Sequence, residues 1–111
     1  MKATINSYDC VDHDPIDQWV PNDPYDVDIW VNFRIGPDTE SGDNFQVHIV
    51  TPNNLHGKGS TKYAIILYEY SWKKVLRTVE SMLEQCQCTS WIGISRQLAN
   101  LMHWEYENYK P

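Results

Sequence analysis

The sequence lacks most of the features by which a membrane protein, a disulfide scaffold or a catalyst is recognised. No window approaches the ~20 apolar residues that a bilayer span needs. Residues 1–8 contain neither an apolar run nor a small-residue cleavage site, so no export signal is expected. The three cysteines, Cys10, Cys86 and Cys88, are an odd number, and reduced thiols in a cytoplasm are the expectation. Cys86 and Cys88 lie too close for an unstrained disulfide, and Cys86 reads as a buried apolar thiol. There is no glycine-rich phosphate loop, and Ser95 has no G-x-S-x-G around it. Asp9, Asp12, His13 and Asp14 have neither the spacing of a calcium loop nor a second histidine at a zinc spacing. The remaining histidines, at 48, 56 and 103, are scattered. The expectation is a protein that is not an enzyme and uses no metal or cofactor.

Basic residues are also scarce in the first part of the chain. Residues 1–43 hold ten acids (Asp9, Asp12, Asp14, Asp17, Asp23, Asp26, Asp28, Asp38, Glu40 and Asp43) against Lys2 and Arg34. That stretch carries −8 in a chain whose net charge is −6, so the rest is slightly basic. A field of this sign repels phosphate and argues against a nucleic-acid partner. It attracts a basic protein and speeds the encounter. The plainer alternative is that loop acids keep a small domain soluble.

What is present is enough for one core. At 111 residues the chain reads as a single domain over 1–111 that buries roughly two thirds of its unfolded surface. In Val27–Ile35 the apolar Val27, Ile29, Val31, Phe33 and Ile35 alternate with Asp28, Trp30, Asn32 and Arg34. A period of two over β-branched and aromatic residues predicts a strand with one dry face. Turn residues fill 36–44, and Phe45, Val47 and Ile49 resume the alternation against Gln46, His48 and Val50, which predicts an antiparallel hairpin. A weaker strand is expected within Ala3–Val11. Tyr63–Tyr68, apolar on both sides, reads as a strand covered on both faces or inside the sheet. Near Ser71 the period switches to 3.6. Trp72, Val75, Leu76, Val79, Leu83 and Cys86 form one helical stripe. Trp91, Ile94, Leu98, Leu101 and Met102 form a second, behind Thr89 or Ser90 as N-cap and weakened by Gly93. The expected fold is α+β: an antiparallel sheet of three to five strands with two C-terminal helices packed on one face.

Between the first two strands, residues 12–26 carry Pro15, Pro21 and Pro24 among acids, an acidic loop anchored through Ile16, Trp19 and Val20. Trp30 sits on the polar side of its strand. Either the acidic loop covers it, through Trp19, or it is a binding anchor, since Trp is enriched at interface hot spots.

Three stretches resemble the Imm8 family of bacterial immunity proteins, found beside polymorphic and contact-dependent toxins. They are Phe33-Arg34-Ile35-Gly36 followed by Phe45-x-Val47-x-Ile49-x-Thr51-Pro52, then Tyr70-Ser71-Trp72, and the tail Met102-His103-Trp104-Glu105-Tyr106-Glu107-Asn108-Tyr109-Lys110-Pro111. The resemblance implies a cytoplasmic protein that neutralises one cognate toxin by binding it. A nuclease toxin would be basic, and an acidic surface suits it. The expected partner is thus a toxin protein, with no nucleic acid and no membrane, and the sequence sets no oligomeric state. The rival is a small interaction or ligand-binding module unrelated to toxins. The expected contact residues are Asp12, Asp14, Asp17, Asp23, Asp26 and Asp28 with Trp19 or Trp30 as apolar anchor. Glu105 and Glu107 in the tail form the rival site.

Overall fold

Alternation builds the centre of the fold. The computed structural model describes residues 1–55 and 61–106, so part of the expected loop before Thr61 and the tail from Glu107 onward lie outside the described residues. Strand β2 (Asp28–Gly36) pairs antiparallel with β3 (Asp43–Val50), as the apolar pattern predicts. Ile29 lies opposite Ile49, Val31 opposite Val47 and Phe33 opposite Phe45, and all six side chains are buried. The hairpin closes tightly: a Cβ on Gly36 would lie 1.6 Å from the carbonyl oxygen of Ser41, so only glycine fits there.

Strand β1 (Thr4–Asp9) pairs antiparallel with the other edge of β2. A β-bulge between Ile5 and Ser7 explains its faint apolar pattern. Ile5 lies opposite Ile35, but past the bulge Tyr8 lies opposite Phe33. One extra residue flips the alternation. Core-facing positions are therefore odd before it (Ala3, Ile5) and even after it (Tyr8, Cys10).

Helices α1 (Trp72–Gln85) and α2 (Trp91–Leu98) begin where expected. Ser71 Oγ accepts from the Lys74 N–H, and Ser90 Oγ from the Gly93 N–H. Val75, Val79, Leu83, Ile94 and Leu98 share one core with the inward face of β2 and β3, and Phe33 stacks on Trp72 at 6.0 Å. Gly93 has a packing reason, since a Cβ there would meet Cys88 Sγ at 2.1 Å.

The last two strands depart from the expectation. Strand β4 is only Ala64–Ile66, and it runs parallel to β3 at the end of the sheet order, neither internal nor covered on both faces. Residues 51–63 are long enough to carry the chain back along the sheet and start β4 in the same direction. Ile65 is buried in the core while Ile66 is 48% exposed. After α2 the tail leaves the helix, and β5 (His103–Trp104) pairs antiparallel with the beginning of β3. Among the described residues five strands and two helices make the expected α+β fold, with β3–β4 as its parallel pair.

Candidate functional site

The helices take one face of the sheet, and the opposite face presents what alternation left outside the core. On β2 these are Asp28, Trp30, Asn32 and Arg34, and facing them on β3 are Val50, His48, Gln46 and Asn44. Trp30 is 46% exposed. Its ring lies parallel to that of His48, with centroids 4.9 Å apart. His48 is buried, and its Nε2 lies 2.5 Å from Asp28 Oδ1. A carboxylate thus orients the imidazole, and the imidazole supports one face of the indole. The expectation that the acidic loop covers Trp30 through Trp19 does not hold. Trp19 is half-buried at the edge of the core, stacked on His13 at 3.8 Å and edge-on to Tyr70 at 5.1 Å.

Around Asn32, two residues along the strand from Trp30, the same face dips into a hollow of about 380 Å³, lined by Asp9 and Val11, by Asn32, Asn44 and Gln46, and by His103 and Glu105. The Asn32 side-chain amide donates to Asp9 Oδ1 at 3.0 Å. Carboxylates, amides and an aromatic ring on strands form a surface suited to binding. Among the described residues no group of three or more His, Cys, Asp or Glu is placed to hold a metal.

The acids of the loop divide into two kinds. Asp12, Asp14 and Asp17 are exposed, and among the described residues their carboxylates have no hydrogen-bond or ion-pair partner. Asp17 lies in the short 3-10 turn Ile16–Gln18, whose Ile16 is buried in the core. Asp23 and Asp26 instead hold backbone and loop together. Asp23 Oδ1 accepts from the Tyr25 N–H, and Asp26 Oδ1 accepts from the side-chain amides of Asn53 and Asn54. Val20, expected as an anchor, is 82% exposed. Glu105 ties the tail to β3, its carboxylate accepting from the Asn44 N–H at 2.8 Å, while the Glu105 N–H donates to the Asn44 carbonyl. Glu107 lies outside the described residues. Between Lys2 and Lys58 the only Lys or Arg is Arg34.

Two features escaped the sequence reading. Asp43 Oδ2 accepts from both Trp91 Nε1 and Trp104 Nε1, at 3.2 and 3.1 Å. An acid at a strand start with two tryptophans far along the chain carries no local signal. Tyr25 and Tyr68 pack edge to face at 5.6 Å and are both exposed, a pairing that sequence distance conceals. Among buried groups, the Tyr70 hydroxyl has no partner among the described residues, and burial, aided by the nearby Cys10, pushes its pKa up to about 12. Burial also raises the Cys86 thiol, as expected of a core cysteine, whereas hydrogen bonds from Ser90 lower that of Cys88.

A sheet with one face packed by helices and the other presenting Trp30 among acids and amides defines a small α+β domain with a presented surface. The family model for Immunity protein 8 (Imm8) matches residues 3–109, and the chain belongs to that family of immunity proteins. Membership implies that it binds a cognate toxin protein. No curated protein and no solved structure matches the chain. Among the described residues no helix is long and apolar enough to cross a membrane.

Proposed function

We propose that this protein neutralises one bacterial toxin domain in the cytoplasm by binding it one to one, without catalysis of its own, and that the toxin is a basic nuclease. The family match carries the reading. The charge distribution supports the nature of the partner: exposed Asp12, Asp14 and Asp17 carry no compensating partner among the described residues, in a stretch without Lys or Arg. The gripping surface in this reading runs along Asp12–Asp28 and reaches Trp30. Its exposed acids act mainly on the association rate, an effect that weakens as salt rises. The loop is stiffened by three prolines and pinned by Ile16, so less ordering entropy is lost on binding.

The test uses the product of the gene directly upstream. Inhibition saturating at one molecule per toxin supports the proposal, whereas protection at far lower amounts, or no binding, refutes it. The surface is tested with Asp12, Asp14 and Asp17 changed together to Asn, because these acids hold nothing in the fold. Asp23 and Glu105 accept from backbone N–H groups and Asp26 from the side-chain amides of Asn53 and Asn54, so changing them also perturbs structure. The triple variant should associate more slowly and with a shallower salt dependence. Unchanged association would exclude the loop.

A further inference from the structure

The open sheet face has a specific vacancy at Trp30. Strand β1 stops at Asp9, opposite Asn32, so among the described residues no strand residue stands opposite Trp30 on that side. Among the described residues the indole is therefore supported on one face by His48 and left open on the other, in keeping with its 46% exposure. Asp28 lies two residues before it on the same face. Asp9 lies diagonally across, a separation of roughly 7–8 Å in an antiparallel pair. Asp9 spends one acceptor site on Asn32, and a carboxylate has about four. Among the described residues the bases of this face are Arg34, beyond Asn32, and the imidazoles of His48 and His103.

We infer that Trp30 is a stacking platform for an arginine side chain of the partner, whose guanidinium lies on the open indole face and donates to Asp9. The inference rests on the proposed function and names the chemistry of one contact within it. Charge complementarity selects the occupant: acids flank an aromatic face whose ring quadrupole attracts cations. Arginine fits better than lysine because the planar guanidinium stacks and presents its N–H donors in a fork, while lysine offers a strongly hydrated point charge. The indole is already held by His48, and His48 by Asp28, so little ordering is required when the cation arrives. The hollow lined by Asn32 and Gln46 then takes the polar backbone on either side of that arginine.

Two measurements test this. In the first, the Trp30 indole N–H resonance, assigned by its loss in Trp30→Phe, is followed while N-acetylarginine amide or its neutral isostere N-acetylcitrulline amide is titrated at millimolar concentration. A clearly larger shift with the arginine compound is expected, and equal shifts overturn the inference. In the second, affinity for the upstream gene product is measured for Trp30→Leu, Trp30→Phe and Asp9→Asn. Trp30→Leu should bind roughly tenfold more weakly and Trp30→Phe less so, in the range of a partly desolvated cation–π contact. Asp9→Asn should weaken binding severalfold, and its solvent-exposed position keeps it folded. Wild-type affinity in Trp30→Leu overturns the inference while leaving the one-to-one inhibitor intact. A wild-type chain that ignores the upstream product sinks the proposed function, and the arginine titration then decides the open face alone.

Discussion

Asp43 offers the sharpest test of how the tail is held. Its single Oδ2 receives the indole N–H groups of Trp91, at the start of α2, and of Trp104, in β5. One carboxylate at the head of β3 therefore fastens a helix and the last strand to the sheet. Hydrogen bonds to a charged group contribute about 1.5–3 kcal/mol each. Both indoles are only half-buried, so the lower end applies, and Asp43→Ala should cost roughly 3 kcal/mol. Asp43→Asn keeps an acceptor oxygen but loses the charge that about doubles such a bond, so its cost should be roughly half as large. Urea unfolding followed by tryptophan fluorescence measures both. With a slope of about 1–3 kcal/mol per molar, the alanine variant shifts the midpoint by at least about 1 M. A cycle isolates the pair. Trp104→Phe keeps the ring and removes the donor, so in that background Asp43→Ala should cost about 1.5 kcal/mol less. Asp43 does not fasten the tail in this way if Asp43→Ala lies within about 0.5 kcal/mol of wild type, or if its cost is the same with Phe at 104.

Gly36→Ala should destabilise by more than about 3 kcal/mol, because the new Cβ would lie 1.6 Å from a backbone oxygen that cannot rotate away. A thermal melt should fall by at least about 10 °C, and a smaller drop would mean that the hairpin end re-forms easily. Tyr70 predicts an alkaline effect. Its folded pKa of about 12 exceeds the ordinary value of 10.0, so the unfolded chain loses the phenol proton first as pH rises. The stability tied to this group is complete below pH 10 and is lost between pH 10 and 12. Tyr70→Phe should therefore be less alkali-sensitive than wild type in that window, and parallel stability–pH curves for the two proteins would refute it.

The parts of the fold legible in the sequence are those whose cause is local. Alternation in Val27–Ile35 and Phe45–Val50 reflects a single dry face, and Ser71 and Ser90 announce their helices because an N-cap needs only a side-chain oxygen three residues before the N–H it accepts. Where the cause is distant, the sequence carries no local signal. Ile65 and Ile66 look alike in sequence, yet one is buried and the other sits on the open face of an edge strand, because only the partner of β4 decides its direction and exposure. The bulge at Asn6 hid the pattern of β1 by inverting it midway. Within the candidate site the charge of the loop is plain, but its division into Asp12, Asp14 and Asp17 that hold nothing, Asp23 that holds the Tyr25 N–H and Asp26 that holds two asparagine side chains depends on where Tyr25, Asn53 and Asn54 sit. Trp30 was identified as a candidate anchor from its place on the polar side. Its openness followed only from the end of β1 and from the packing of Trp19 elsewhere.

The way β3 is finished has a consequence for how the protein is kept in a crowded cell. The outer edge of this strand is met by β4 near its end and by β5 near its start, one parallel and the other antiparallel. The described sheet thus ends on that side in two strands of three and two residues, instead of one long row of unsatisfied amides and carbonyls. On the opposite side, β1 is interrupted by its bulge. Short, broken and bulged borders are poor templates for a strand from another chain. A protein that must wait at adequate concentration for its partner is therefore built to resist stacking into fibres, and a change that lengthened either border would test its solubility before its affinity.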